Sequence, residues 1–211
     1  MGVPLNKFIC ASNANNVLTD FLSTGTYDRN RKFHLTMSPS MDILISSNLE
    51  RLLYFVSDAE TTAAYMSELN LNGKYTVSDD IKAKISENFC GYFADETETA
   101  NTVKKYFNDM GYLADTHTSV ALACAKKFIA DNNDGKKMIV ASTASPYKFA
   151  ADVYCAITDK KASDGTGALD DLSSVTDTEI TLPLRDLDKK EVRFTKVIDP
   201  YDMLKEVYKF I

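Results

Sequence analysis

The chain has 211 residues, a mass of 23.5 kDa, 45% apolar and 26% charged residues, which is the composition of a soluble globular protein and not of a disordered or fibrous one. A net charge of −6 and a pI near 5.0 argue against a nucleic-acid backbone or an anionic membrane as partner, since either needs a clustered Lys/Arg surface. Only eight residues are glycine, about half the usual share of roughly 7%, and neither GxGxxG nor GxxxxGKS/T occurs, which argues against nucleotide binding of the common kinds.

From Met1 to Asn6 there is no basic stretch leading into an apolar run, and Asn6 stands where a myristoylation signal needs Ser or Thr. No stretch approaches the roughly 18 apolar residues of a membrane span, and a cytoplasmic protein is expected. Cys10, Cys90, Cys124 and Cys155 are widely spaced, with only His34 and His117 to supplement them. Buried thiols are expected at all four, and no structural zinc.

Lys7-Phe8-Ile9-Cys10-Ala11-Ser12 reads as a buried strand. A helix follows, capped by Asn16, with Val17, Leu18, Phe21 and Leu22 on one face and Gly25 as its left-handed terminus. Residues 26–44 read as irregular. Ser47-Asn48-Leu49-Glu50 has the spacing of a capping box and opens a helix burying Leu49, Leu52, Leu53 and Val56. Between 59 and 110 three helical patterns succeed one another without a convincing strand. Ala63, Met66 and Leu69 mark the first, and Ile81, Ile85 and Phe89 the second. The third begins at Asp95 and Glu98, follows Ala100, Val103, Phe107 and Met110, and ends at Gly111.

A further helix is predicted from Thr118 to Ala130. Lys136-Lys137-Met138-Ile139-Val140-Ala141 has the continuous apolar run of a parallel strand covered on both faces. Pro146 after Ser145 opens a helix burying Phe149, Ala150, Val153 and Ile157. Residues 158–180 turn polar and read as a mobile loop with at most a short helix near Leu169-Asp170-Asp171-Leu172. Val192-Arg193-Phe194 alternates like an edge strand, and Pro200 opens a last helix. The expected class is α/β and helix-rich, with few parallel strands. With so few strands, either the chain is mostly helical or the sheet's missing neighbours come from other sequence or from self-association with a second copy.

The first two predicted strands run into small, donor-rich junctions, Ala11-Ser12-Asn13-Ala14-Asn15-Asn16 and Ala141-Ser142-Thr143-Ala144-Ser145-Pro146. In an open α/β sheet ligands bind beyond the carboxyl ends of the strands, against free helix N-terminal amides, so parallel neighbouring strands would bring the two junctions to one crevice. Ordinary helix capping is the competing reading of each. His117, in Asp115-Thr116-His117-Thr118, is either a base near neutrality or a structural hydrogen-bonding residue. His34 is expected at the surface. Asp42 either orients a site or caps a turn.

These stretches together resemble the threonine synthases of the bacterial and fungal type. Ala11 to Leu22 with Thr24-Gly25-Thr26-Tyr27, and the long run from Ser38-Pro39-Ser40-Met41-Asp42 to Leu53, are similar to that family's runs. Asp115-Thr116-His117-Thr118-Ser119-Val120 resembles its DPHTAV motif with Thr116 for proline, and Ser142-Thr143-Ala144-Ser145-Pro146-Tyr147-Lys148-Phe149 resembles STAHPAKF with Ser145 for histidine. The resemblance spans nearly all of residues 1–211, in the family's order.

It implies a helix-rich, incomplete three-layer segment of a fold type II pyridoxal-phosphate enzyme, one converting O-phosphohomoserine and water to threonine and phosphate. Thr143 matches the position whose hydroxyl meets the cofactor's pyridine nitrogen, with Ser142 beside it. Asn13, Asn15, Asp42 and His117 fall in family motifs near the expected crevice. The family's cofactor-linking lysine and Gly-Asn-Phe-Gly phosphate loop match nothing here. The expectation is therefore the C-terminal part of a longer enzyme, inactive without the N-terminal half, with Met1 an internal methionine; a non-catalytic α/β binding or scaffold module is the alternative.

Overall fold

In the computed structural model, residues 4–133 and 135–209 are described. Strand β1 (Phe8–Ser12) is followed by helix α1 (Val17–Thr24), which ends at Gly25 in the left-handed conformation with φ of 81°. Asn16 does not cap it; its side chain accepts from the Arg31 guanidinium instead, and Arg31 pairs with Asp20 at 2.6 Å. Residues 26–44 are not wholly irregular. They contain strand β2 (Thr26–Asp28) and a 3-10 turn, Pro39–Met41.

Helices α2 (Ser47–Val56) and α3 (Ala59–Asn72) come next, then strand β3 (Lys74–Thr76) and helix α4 (Asp79–Asn88). The cap of α2 is Ser46, whose hydroxyl accepts from the Leu49 amide, so the predicted box at Ser47 lies one residue too late. Strand β4 (Phe89–Phe93) follows directly. Phe89, assigned from periodicity to a helical stripe, instead opens a strand and stacks on Phe8 across the sheet.

β1 and β4 pair in parallel, Phe8 opposite Phe89 and Ser12 opposite Phe93, while β2 and β3 pair antiparallel. Gly91 faces α1, where an added Cβ would meet the Thr19 Cα at 2.7 Å; only a residue without a side chain lets helix and strand approach this closely. On the other face Ala11 and Tyr92 pack against Val120, Ala123 and Cys124 of helix α6 (Thr116–Asn132). Helix, two-stranded sheet and helix thus form three layers. Around α1 to α4 a larger core gathers Phe21, Leu53, Leu69 and Ile85 about a stack of Tyr27 on Tyr75 at 5.5 Å.

Helix α5 (Glu96–Met110) has a full capping box from Asp95 and Glu98 and ends at left-handed Gly111, as expected. With α7 (Ala150–Thr158) and α8 (Gly167–Thr176) it encloses a second core of Val103, Tyr147, Val153 and Leu172. The segment predicted as a mobile loop therefore contains a ten-residue packed helix. Its stripe of Ala168, Leu172 and Thr176 was masked by the Asp and Ser residues of its outer face.

Residues 136–141 form no strand ladder among the described residues, contrary to expectation. Met138 and Val140 nonetheless line a cavity of about 310 Å³ with Leu122, Ala125, Lys126 and Ile129 of α6 and with Tyr106, while Ile139 is exposed. Exposure alternates from Met138 to Val140 as it would along a strand, but no ladder forms among the described residues. Val192 and Phe194 are likewise exposed and unladdered, so the predicted edge strand is absent too. Helix α9 (Met203–Val207) lies on the surface. Cys124 is buried as expected, but Cys10 and Cys90 are half-buried and Cys155 is exposed, which corrects the expectation for those three.

Candidate functional site

The turn from β1 into α1 carries Asn13 and Asn15, both buried. The Asn13 carboxamide nitrogen donates toward Asp42 Oδ1 at 2.7 Å and Thr36 Oγ1 at 2.8 Å, with the hydroxyl and carbonyl of Ser38 at 3.1 and 3.3 Å. Its oxygen accepts from the Asn15 backbone amide at 2.9 Å, an Asx turn that shapes the junction. Asn15 grips the His34 peptide from both sides, donating to its carbonyl at 2.8 Å and accepting from its amide at 2.9 Å. His34 is accordingly half-buried and held by its backbone, not a free surface residue.

Asp42 is the hub. One oxygen accepts from Asn13, from Asn15 at 3.0 Å and from the Thr36 hydroxyl at 2.7 Å, and the other from the Thr36 amide at 3.0 Å. A carboxylate accepts only, so it alone among side chains of this size satisfies four converging donors. The loop 34–42 is thereby sewn onto the β1–α1 junction.

The first turn of α6 joins this cluster to the second junction. Asp115 is the buried N-cap, accepting from the amides of His117 and Thr118 and from the Thr118 hydroxyl. His117 is buried against the Phe149 ring, with centroids 4.6 Å apart. Its Nε2 accepts from the Ser40 amide at 3.0 Å, which places the imidazole proton on Nδ1, 3.3 Å from Asp115 Oδ1 and 3.4 Å from Thr116 Oγ1. Burial draws its pKa below the usual 6.5; Asp115 opposes this and Lys148 adds to it. His117 is thus engaged at both nitrogens.

Ser142 lies 3.1 Å from the Thr118 hydroxyl and 3.4 Å from that of Tyr112. Thr143, one residue on, is exposed, and its hydroxyl has no partner among the described residues. Asn13, Asn15, Asp42 and His117 are therefore brought together with Ser142 around the start of α6, whereas Thr143 bonds to no group among the described residues. The two junctions do converge, but through α6 and loop 34–42, because β1 pairs with β4 and not with residues 136–141. Thr36, Ser38, Ser40 and Asp115 belong to the constellation and were not singled out from sequence. The Asp cap before Thr-His-Thr was the available signal for Asp115; nothing local marks Thr36. No group of three or more His, Cys, Asp or Glu suited to a metal occurs among the described residues.

A three-layer α/β unit with polar junctions meeting at a helix start is the class this geometry defines, and comparison with known proteins makes it specific. Residues 118–211 match the family described as threonine synthase, C-terminal. The chain is 37% identical over 166 residues to threonine synthase of Saccharomyces cerevisiae, covering 71% of this chain and 32% of that protein. It is 38% identical over 169 residues to threonine synthase-like 1 of Homo sapiens, covering 78% and 22%. The crystal structure of threonine synthase from yeast superposes with a TM-score of 0.77 at 32% identity over 90% of this chain and 39% of that one. The pyridoxal-phosphate-bound enzyme from Brucella melitensis gives 0.69 at 31% identity over 82% and 37%. The chain belongs to the threonine synthase family and corresponds to its C-terminal portion. It spans between about a fifth and a third of the length of these curated relatives.

Proposed function

We propose that residues 1–211 form the C-terminal part of a pyridoxal-phosphate-dependent threonine synthase acting on O-phosphohomoserine, and that this polypeptide alone is catalytically incomplete. The observation that carries the reading is the contrast between Ser142, engaged by Thr118 and Tyr112, and Thr143, whose exposed hydroxyl has no partner among the described residues. That hydroxyl suits the pyridine nitrogen of the cofactor, which when bound would supply an electron sink for elimination and replacement at the substrate carbons. A neutral hydroxyl there would leave the ring nitrogen unprotonated and moderate that sink.

The other two requirements are not met by this chain. No lysine matches the family's cofactor-linking position and no glycine-rich loop offers amides to a phosphate. Both are expected from the N-terminal half. Adding pyridoxal phosphate to the chain and scanning visible absorption tests this: no saturable band is expected, and borohydride should fix cofactor at no single lysine. A saturable band trapped at one specific lysine would overturn it.

One observation favours the second reading, a non-catalytic binding or scaffold module. Asn13, Asn15, Asp42 and His117 bond one another and loop 34–42, so they knit the fold and offer no free group to a substrate. Cooperative unfolding of the isolated chain would support that module, and a molten, dye-binding species would count against it.

A further inference from the structure

We propose that His117 is a proton-sensitive latch: its neutral imidazole holds loop 36–42 on the start of α6, and protonation at Nε2 releases that loop. The geometry leaves no alternative acceptor role. Nε2 accepts the Ser40 amide at 3.0 Å, and a proton there replaces the lone pair with an N–H facing another N–H. Two donors cannot share that line, so the Ser40 backbone must withdraw. Ser40 lies in the turn Pro39–Met41, immediately before Asp42. Movement there pulls on the carboxylate that gathers Asn13, Asn15 and Thr36. One proton is thus coupled to the whole junction where strand β1 turns into helix α1.

The charged surroundings decide the direction. Asp115, from the cap of α6, faces Nδ1 and favours the imidazolium; Asp42, from the latched loop, acts in the same direction; Lys148, from the turn Pro146–Phe149, opposes it. Burial against Phe149 outweighs the two carboxylates, and the neutral form is favoured in the folded chain. The latch is therefore closed above pH 6.5, the usual histidine value, and opens as pH falls through the lower folded-state value.

Two substitutions separate the latch from mere packing. His117→Gln presents an amide oxygen that accepts from Ser40 without titrating. His117→Phe keeps a ring against Phe149 but has no acceptor. Amide hydrogen exchange, corrected for intrinsic rates, is followed at Ser40 and Thr36 from pH 7.5 to 5, with amides of α3 as a control for global unfolding. In the unsubstituted chain, protection at Ser40 and Thr36 should fall about tenfold per pH unit below the folded-state pKa, while α3 is unchanged. Protection should be independent of pH in His117→Gln and low throughout in His117→Phe. Nitrogen shifts of the His117 ring should place the proton on Nδ1 at pH 7.5. A proton on Nε2 at that pH, or identical pH profiles for the unsubstituted chain and His117→Gln, overturns the proposal. So does loss of protection at α3 in parallel with Ser40.

Discussion

Replacing Asp42 by asparagine changes shape hardly at all, and so isolates what the carboxylate does. In the native arrangement three donors converge on Oδ1 and one on Oδ2. An amide has one accepting end, so in either orientation its NH₂ faces at least one donor. The less costly placement sets NH₂ against the Thr36 amide, orphaning that backbone donor at roughly 1–3 kcal/mol and reducing three charge-assisted bonds to neutral ones at a few tenths to 1 kcal/mol each. Asp42 is half-buried and water relieves part of this, giving a net loss of about 2–4 kcal/mol. For a chain of this size that lowers Tm by about 4–16 °C, measured by far-UV circular dichroism. Asp42→Ala should cost no more than Asp42→Asn, because water enters the vacated space and accepts from the stranded donors. If Asp42→Asn matches the parent within about 0.5 kcal/mol while Asp42→Ala costs several, side-chain volume and not acceptor capacity holds the junction.

Gly91→Ala should destabilise by about 1–3 kcal/mol in urea titrations, since the new Cβ meets the Thr19 backbone. Adding Leu22→Ala, which removes only the 3.4 Å side-chain contact, should not rescue it; rescue would mean the backbone clash is not limiting. Leu172→Ala should cost about 2–5 kcal/mol because the side chain is fully buried between α7 and α8, whereas a mobile loop predicts no change in the midpoint. Among the four thiols Cys155 should react first with a disulfide reagent at pH 8, and Cys155→Ser should remove the fast phase. Cys124, buried and pushed up to about 12, should react only on unfolding; a fast phase surviving Cys155→Ser would refute the assignment.

What the sequence disclosed follows from where each element finds its hydrogen bonds. A helix closes its bonds within the segment, so α5 was legible down to its capping box and Gly111, and α6 to within about two residues. Capping chemistry is local too, yet it misled at Asn16 and Ser47, where a guanidinium and a preceding serine compete for the same roles. The family motifs marked Asn13, Asn15, Asp42 and His117 as members of one site. They did not reveal Thr36 or Ser40, whose roles arise from a loop returning more than 20 residues later.

A strand, by contrast, is a property of two segments. Phe89 fits the end of a helical stripe, and Phe89-Cys90-Gly91-Tyr92-Phe93 is a strand only because β1 lies beside it, its glycine explained by Thr19 overhead. Residues 136–141 present the reverse case. They have the composition of a buried parallel strand, and Met138 and Val140 already lie against α6 while Ile139 faces solvent. The apolar pattern thus specifies two covered faces, of which this chain supplies one. Hydrophobic burial is non-directional and settles on whatever surface is present, but a ladder needs a backbone at about 4.8 Å with free donors and acceptors. The same partial fulfilment recurs at Thr143, where a hydroxyl without a partner among the described residues stands just beyond a segment that joins no ladder among them.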